Sequence, residues 1–192
     1  MYIEACLFKE RKKERQIMKR YFLLLLLIVL TFTACSSNIA QTEPPEILIK
    51  VGNKEMGYVV GLNQWDGAIY DREDTFHTIM KEGSDIEVPY ARLGESIEIE
   101  FKGATPDKYE LRDHILRENG SIKYTEKEVV KIPIELVNGK ASFELDVHWS
   151  AFLSSSSKDY ELGGVLRGFR LICSWGENEC EYGFVIRTDA TK

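Results

Sequence analysis

Beyond residue 46 the sequence predicts an all-β fold, an antiparallel β-sandwich, on three observations. Period-two alternation dominates: in Ser96-Ile-Glu-Ile-Glu-Phe101, Ile97, Ile99 and Phe101 share one face while Glu98 and Glu100 share the other. Turn signals recur at short intervals, among them Gly52-Asn53, Asn119-Gly120 and Asn138-Gly139. Helical periodicity is confined to Thr75–Glu82 and to the stretch around Ser150-Ala-Phe-Leu153. Short strands with regular turn cues and little helix are the pattern of a sandwich.

The elements follow in order. Ser36 to Glu46 is polar and ends in Pro44-Pro45, the composition of a stiff, extended tether, so the folded part begins near Ile47. Ile47–Val51 is short and β-rich, and Gly52-Asn53 turns it into a second run, Met56–Val60. Ser96–Phe101 comes next, then a strand marked by Tyr109, Leu111 and Ile115, then Ser121–Tyr124 behind its Asn-Gly turn. Val129–Leu136 and Ala141–Val147 flank Asn138-Gly139 and predict a hairpin. Pro133 makes its first arm an edge strand or a bulge, because proline cannot donate to a ladder. Gly168–Trp175 and Cys180–Arg187 complete about nine strands. Ser154–Lys158 reads as a flexible polar loop without a functional role.

The first 46 residues have another character. Met18-Lys19-Arg20 precedes an apolar run from Tyr21 to Ala34, and Cys35-Ser36-Ser37 follows it. The run is shorter than the ~20 apolar residues a spanning helix needs, but it suits the core of an export signal. With small Thr33 and Ala34 ahead of the cysteine, it resembles the lipobox of bacterial lipoproteins, Phe32 standing where Leu is usual. The resemblance implies that the Cys35 thiol receives a diacylglyceryl group and becomes the new N-terminus. The protein would then be anchored in the lipid bilayer at the extracytoplasmic face of the cell membrane. An ordinary secretory signal and a short uncleaved anchor are the competing readings. Residues 1–17 contain Lys9-Glu-Arg-Lys-Lys-Glu-Arg15, a string that all-purine codons can encode. It reads as a translated ribosome-binding stretch ahead of a true start at Met18, with a long basic leader as the alternative. The expected organisation is an extension over 1–17, a signal peptide over 18–34, a lipidated tether over 35–46 and a sandwich over 47–192.

Further along, Pro45-x-Ile47, Gly61-x-x-x-Trp65, Gly94-x-x-Ile97-x-Ile99-x-Phe101 and the closing Tyr182-Gly-Phe-Val-Ile186 form an ordered set. The set resembles small cell-surface lipoproteins of low-GC Gram-positive bacteria with immunoglobulin-like β-sandwiches. That resemblance implies fold and location and transfers no active site. Cys173 and Cys180 depart from it.

The chain carries 25 Lys plus Arg against 31 Asp plus Glu, a net charge of −6. The basic excess precedes Cys35, and from Cys35 onward the balance deepens to −10. Such a surface repels nucleic acid and anionic headgroups, so no nucleic-acid partner is expected. Folding Arg170–Tyr182 about Gly176-Glu177, with a four-residue loop from Trp175 to Asn178, sets Cys173 opposite Cys180 in a non-hydrogen-bonded pair. Such pairs bring Cα atoms to about 4.5 Å, within disulfide range. A bridge is expected in an exported protein. Two reduced thiols in a zinc or redox site are the alternative, although the spacing is not thioredoxin-like.

No catalytic constellation, metal site or cofactor is expected. His77, His114 and His148 lie far apart, and metal sites need converging ligands. His77 with Met80 could pair softly for copper, and the carboxylates between Asp66 and Asp74 could take calcium, but a surface histidine, a core methionine and a solvated acidic loop account for both. Gly-x-Ser-x-Gly is absent from the sequence and no base accompanies Ser154–Ser157. Trp65, Trp149 and Trp175 invite a sugar-stacking reading. Trp65 is assigned to the core, and Trp175, at a loop tip beside Glu177 and Glu179, is the candidate contact for a surface protein or glycan. The functional expectation is a binding or interaction module. A cell-wall or peptide hydrolase with unidentified carboxylates and an inhibitor or accessory subunit of a membrane complex are the alternatives.

Overall fold

The computed structural model describes residues 42–71 and 74–191. Cys35, the leader and most of the tether, together with Arg72 and Glu73 of the acidic loop, lie outside the described residues. The strands are β1 (Ile47–Val51), β2 (Lys54–Met56), β3 (Val59–Trp65), β4 (Ala68–Ile69), β5 (Ser96–Phe101), β6 (Lys108–Leu116), β7 (Val130–Ile132), β8 (Lys140–Glu144), β9 (Val165–Trp175) and β10 (Asn178–Thr188). One short α-helix, α1 (Thr75–Met80), and 3₁₀ turns at Glu126–Glu128, Trp149–Leu153 and Ser157–Tyr160 complete the described elements.

Alternation sorts these strands into two antiparallel sheets, ordered β2-β1-β5-β8 and β4-β3-β10-β9-β6-β7. Ile49, Ile97, Ile99 and Phe143 of the smaller sheet meet Leu111, Phe169, Leu171, Tyr182 and Phe184 of the larger in one buried core. The Phe143 and Phe169 rings lie 5.6 Å apart across it, and Phe169 stacks on Phe184 at 5.0 Å. The all-β sandwich expected from the alternation is therefore the observed architecture.

The outer face of the larger sheet carries α1. Asp74 caps the helix, its carboxylate accepting from the Phe76 amide at 2.9 Å. Two glycines in the strands make the close approach possible. A Cβ on Gly168 would meet the Phe76 ring at 2.9 Å, and one on Gly183 would meet Thr75 Oγ1 at 2.6 Å. Phe76 and Ile79 thereby bury against Leu116, Leu166 and Val185 in a second apolar cluster.

Register fixes the two ends of the sandwich. At one end Ile47 pairs with Phe101, the Tyr182 hydroxyl donates to Pro45 O at 2.7 Å, and the β9–β10 turn lies nearby, Trp175 touching Phe101. This is the end at which the described chain, from residue 42, enters the sandwich. At the other end β8 finishes beside Ser96, and Val165 of β9 faces Thr188 of β10. The segment linking β8 to β9, residues 145–164, covers that distal end.

Two local expectations are corrected. Asn138-Gly139 does form a tight turn, with φ of 52° and 77° and reciprocal Val137–Lys140 bonds of 2.8 and 3.1 Å. Its arms, however, are not one hairpin: β7 pairs with β6 in the larger sheet and β8 with β5 in the smaller. Pro133 ends the pairing after Ile132 and the chain crosses between sheets. Ser121–Tyr124 makes only a single bridge, Leu116 to Ile122, rather than a strand.

Candidate functional site

Five places in the described part gather chemistry-bearing groups. The cysteines come first. Cys173 and Cys180 are cross-strand partners, as the hairpin predicts, and both are buried. The turn differs from expectation. Trp175 pairs with Asn178, so the loop is the two residues Gly176-Glu177, with Gly176 at φ 59°. A two-residue turn closes on a hydrogen-bonded pair, and alternation makes Cys173–Cys180 such a pair, with Cα atoms about 5.5 Å apart instead of about 4.5 Å. Both are free thiols in this structure, so the expected bridge is not shown. Both thiols sit in the main core, and burial pushes the Cys173 thiol well above its ordinary range, with Cys180 adding to the effect.

Trp175, the sequence candidate for a contact, is a packing residue. Its ring meets Trp65 at 5.8 Å and Phe101 at 6.1 Å edge to face, and its Nε1–H donates to Ala104 O at 3.1 Å. Trp65 is buried, as expected.

Between the β7 and β8 edges lies a cleft of about 380 Å³, with Asp113, His148 and Arg167 among its lining residues. The Arg167 guanidinium takes both Asp113 carboxylate oxygens, one through Nε at 3.2 Å, and Nη1 donates to Asp146 O at 2.5 Å. His148 Nε2 lies 3.3 Å from Asp113 O, and its Nδ1 lies 2.9 Å from Ser150 Oγ. Ser, His and Asp thus come together, but not as a nucleophilic triad. Ser150 is fully buried, the imidazole meets the main-chain oxygen of Asp113, and the carboxylate is committed to arginine. Burial lowers the His148 pKa and keeps the ring neutral. The group is a polar staple tying β6 and β9 to the start of the distal segment.

On the outer face Arg170 lies between Asp74 at 2.5 Å and Glu181 at 3.2 Å, and Thr75 Oγ1 donates to Glu181 at 2.8 Å. His114 sits beside them, 5.7 Å from the Phe76 ring, with neither ring nitrogen hydrogen-bonded. Burial first, then the Arg170 charge, lowers its pKa to about 4. His77, one member of the copper pair considered from sequence, lies on α1. Among the described residues no group of three or more His, Cys, Asp or Glu side chains is placed to hold a metal ion. Asp66 belongs to the β3–β4 turn and Asp74 caps α1, so the acidic stretch is divided between two structural tasks.

The fifth place is the distal segment. Trp149, Phe152, Leu153 and Tyr160 are each about half exposed (48, 53, 54 and 49%), and Leu162 is 85% exposed. Sequence reasoning singled out Trp149 alone and missed Phe152, Leu153, Tyr160 and Leu162. The signal was available: Trp149, Phe152, Leu153, Tyr160 and Leu162 fall in a stretch without strand alternation, so no sheet face claims them. Asp113 and Arg167 were missed because a buried ion pair has no short-range signature.

No protein-family pattern, no curated protein and no solved structure matches the chain.

Proposed function

We propose that the chain is a lipid-anchored, extracytoplasmic module of the cell membrane that acts by binding and not by catalysis, held through an acylated Cys35. The leader layout from Met18 to Cys35, which resembles a lipobox, supports the anchoring. The exposed apolar cluster of the distal segment is the observation that carries the binding reading. Monomeric soluble proteins rarely leave such residues together without a partner. The inward-facing carboxylates, in contrast, are each held by an arginine: Asp113 by Arg167, and Asp74 and Glu181 by Arg170. Carboxylates held this way are poorly suited to the hydrolytic alternative.

Strand order supports an immunoglobulin-like assignment of the sandwich. With β1, β5 and β8 as strands A, B and E, and β6, β7, β9 and β10 as C, C′, F and G, the sheets read A-B-E and G-F-C-C′. The departures are a missing strand D, β2 beside β1, and the β3–β4 pair added beyond β10.

The anchoring is tested by fractionating cells that express wild-type or Cys35→Ala protein, with intact-mass measurement of the purified product. Wild type is expected in the membrane fraction carrying a diacylglyceryl mass on its N-terminal cysteine, and the variant is expected in the medium. Unmodified wild type, or a variant that stays in the membrane, overturns the reading.

A further inference from the structure

We propose that α1 is an acid-released strap: proton uptake by His114 beneath it lifts Asp74 to Met80 off the outer face of the larger sheet while the two sheets stay folded. The seat of the helix is built for close contact. His114 of β6 stands directly across from Gly168 of β9, and the Phe76 ring lies over that glycine, 5.7 Å from the imidazole. Gly120 gives the same access from the loop after β6, since a Cβ there would meet Phe76 O at 2.6 Å. His114 is thereby sealed at 2% exposure, with no hydrogen-bond partner for either ring nitrogen. Buried polar atoms left without partners are rare, and a seat that offers none tolerates the imidazole only while it is neutral.

The surrounding charges do not prepare the seat for a cation. Arg170 of β9 lies 4.9 Å from the Phe76 ring and repels an imidazolium. Its own partners are Asp74, which caps α1, and Glu181 of β10, which also accepts from Thr75 Oγ1. On β6 itself the Asp113 carboxylate is bound by Arg167, and Arg112 adds a second repelling charge. Glu126 of the first 3₁₀ turn attracts, but it is exposed and water weakens its pull. Within α1 the one titratable side chain is His77, which brings no negative charge. Opening resolves the conflict. It gives the imidazolium water, and only a six-residue helix has to leave. Gly83, with φ of 81° and open space around it, is the hinge on its C-terminal side. The movement uncovers Leu116, Leu166 and Val185, the sheet side of the second apolar cluster. Their burial keeps the strap closed at neutral pH. An extracytoplasmic chain, as proposed above, would meet the pH of its surroundings, but the device does not depend on that location.

The test is residue-resolved amide exchange in the full-length chain, with rates corrected for the intrinsic effect of pH. Thr78 and Lys81, whose amides donate to Asp74 O at 3.2 Å and His77 O at 3.0 Å, report the strap, and the cross-strand pair Leu171 and Tyr182 reports the sheets. A ring that takes its proton near 4 under the closed strap and near 6.5 once released makes opening about 30-fold more favourable at about pH 5 than at about pH 7.5. Thr78 and Lys81 are expected to show that rise. At about pH 5 they should also exchange at least about tenfold faster than Leu171 and Tyr182 and respond little to about 1 M urea, the mark of a local opening. His114→Gln should abolish the rise, with His114→Leu repeating the comparison should the first variant unfold. His77→Gln, on α1 itself, should preserve it. The proposal is overturned if strap and sheet amides share one opening rate and one urea response at about pH 5, if the rise is absent from wild type, or if it survives in a folded His114 variant. Loss of the rise in His77→Gln would overturn it too, by moving the trigger to the helix.

Discussion

The two ends of the sandwich are secured by different physics. At the end that begins with Ile47, aromatic rings pack on one another: Trp65 and Phe101 against Trp175, and Phe101 against Tyr182 at 6.0 Å. Towards the distal end the fixing is polar, with Arg167 clamped between Asp113 and the Asp146 carbonyl. The aromatic residues of the distal segment are left at the surface. Apolar side chains consumed in packing make an end stable and inert. An end held by a buried ion pair can leave its apolar side chains free for a partner.

Substitutions separate these roles. Trp65→Ala should be the most damaging, removing a fully buried ring and costing about 4 kcal/mol, read as a lowered denaturation midpoint at unchanged slope. Survival of the midpoint within about 0.5 kcal/mol would break the claim that the tether end is core. Asp113→Ala should cost about 3 kcal/mol, because it leaves the Arg167 charge buried with no carboxylate beside it, only the Asp146 carbonyl and the Phe169 ring. Replacing Asp113 and Arg167 together by apolar residues of similar volume should recover much of that loss, which distinguishes a staple from a catalytic pair.

The pH dependence of stability comes next in size. His114 is neutral in the folded chain down to about pH 4, whereas an unfolded histidine takes its proton near 6.5. Between those values the unfolded state binds more protons, so stability falls as pH drops from 6.5 to 4 and levels off below. The loss from this group is roughly 2 to 3 kcal/mol. His114→Gln should flatten that part of the profile. The smallest effect is expected from Trp149→Ala, within about 0.5 kcal/mol of wild type, since the ring is half exposed.

Much of the sandwich was legible because its strands alternate cleanly and their turns carry glycine at the positions that need positive φ. Gly176 in the β9–β10 hairpin and Gly52 between β1 and β2, with φ of 59° and 55°, are such cases. The β7–β8 crossover was not legible, because a local Asn-Gly signal sets a turn without saying which strand its arms join. The cysteine register was readable, but a loop two residues shorter than expected changed the pair type. Of the functional candidates, Trp175 looked exposed only because a loop tip normally is. Its neighbours Phe101 and Ala104 come from the end of β5 in the other sheet and the loop after it, a long-range fact. The distal segment could have been noticed, since five large apolar residues between two strands have no face to share.

The opposition of the two ends is tested most directly by energy transfer from a fluorophore to acceptors in the lipid headgroups, using protein anchored in vesicles. Donors are placed at Leu162→Cys in the distal segment and at Glu177→Cys in the β9–β10 turn, Cys173 and Cys180 being buried. Transfer should be strong from position 177 and weak from position 162. Equal transfer, or stronger transfer from position 162, would contradict the proposal that one end faces the membrane and the other a partner.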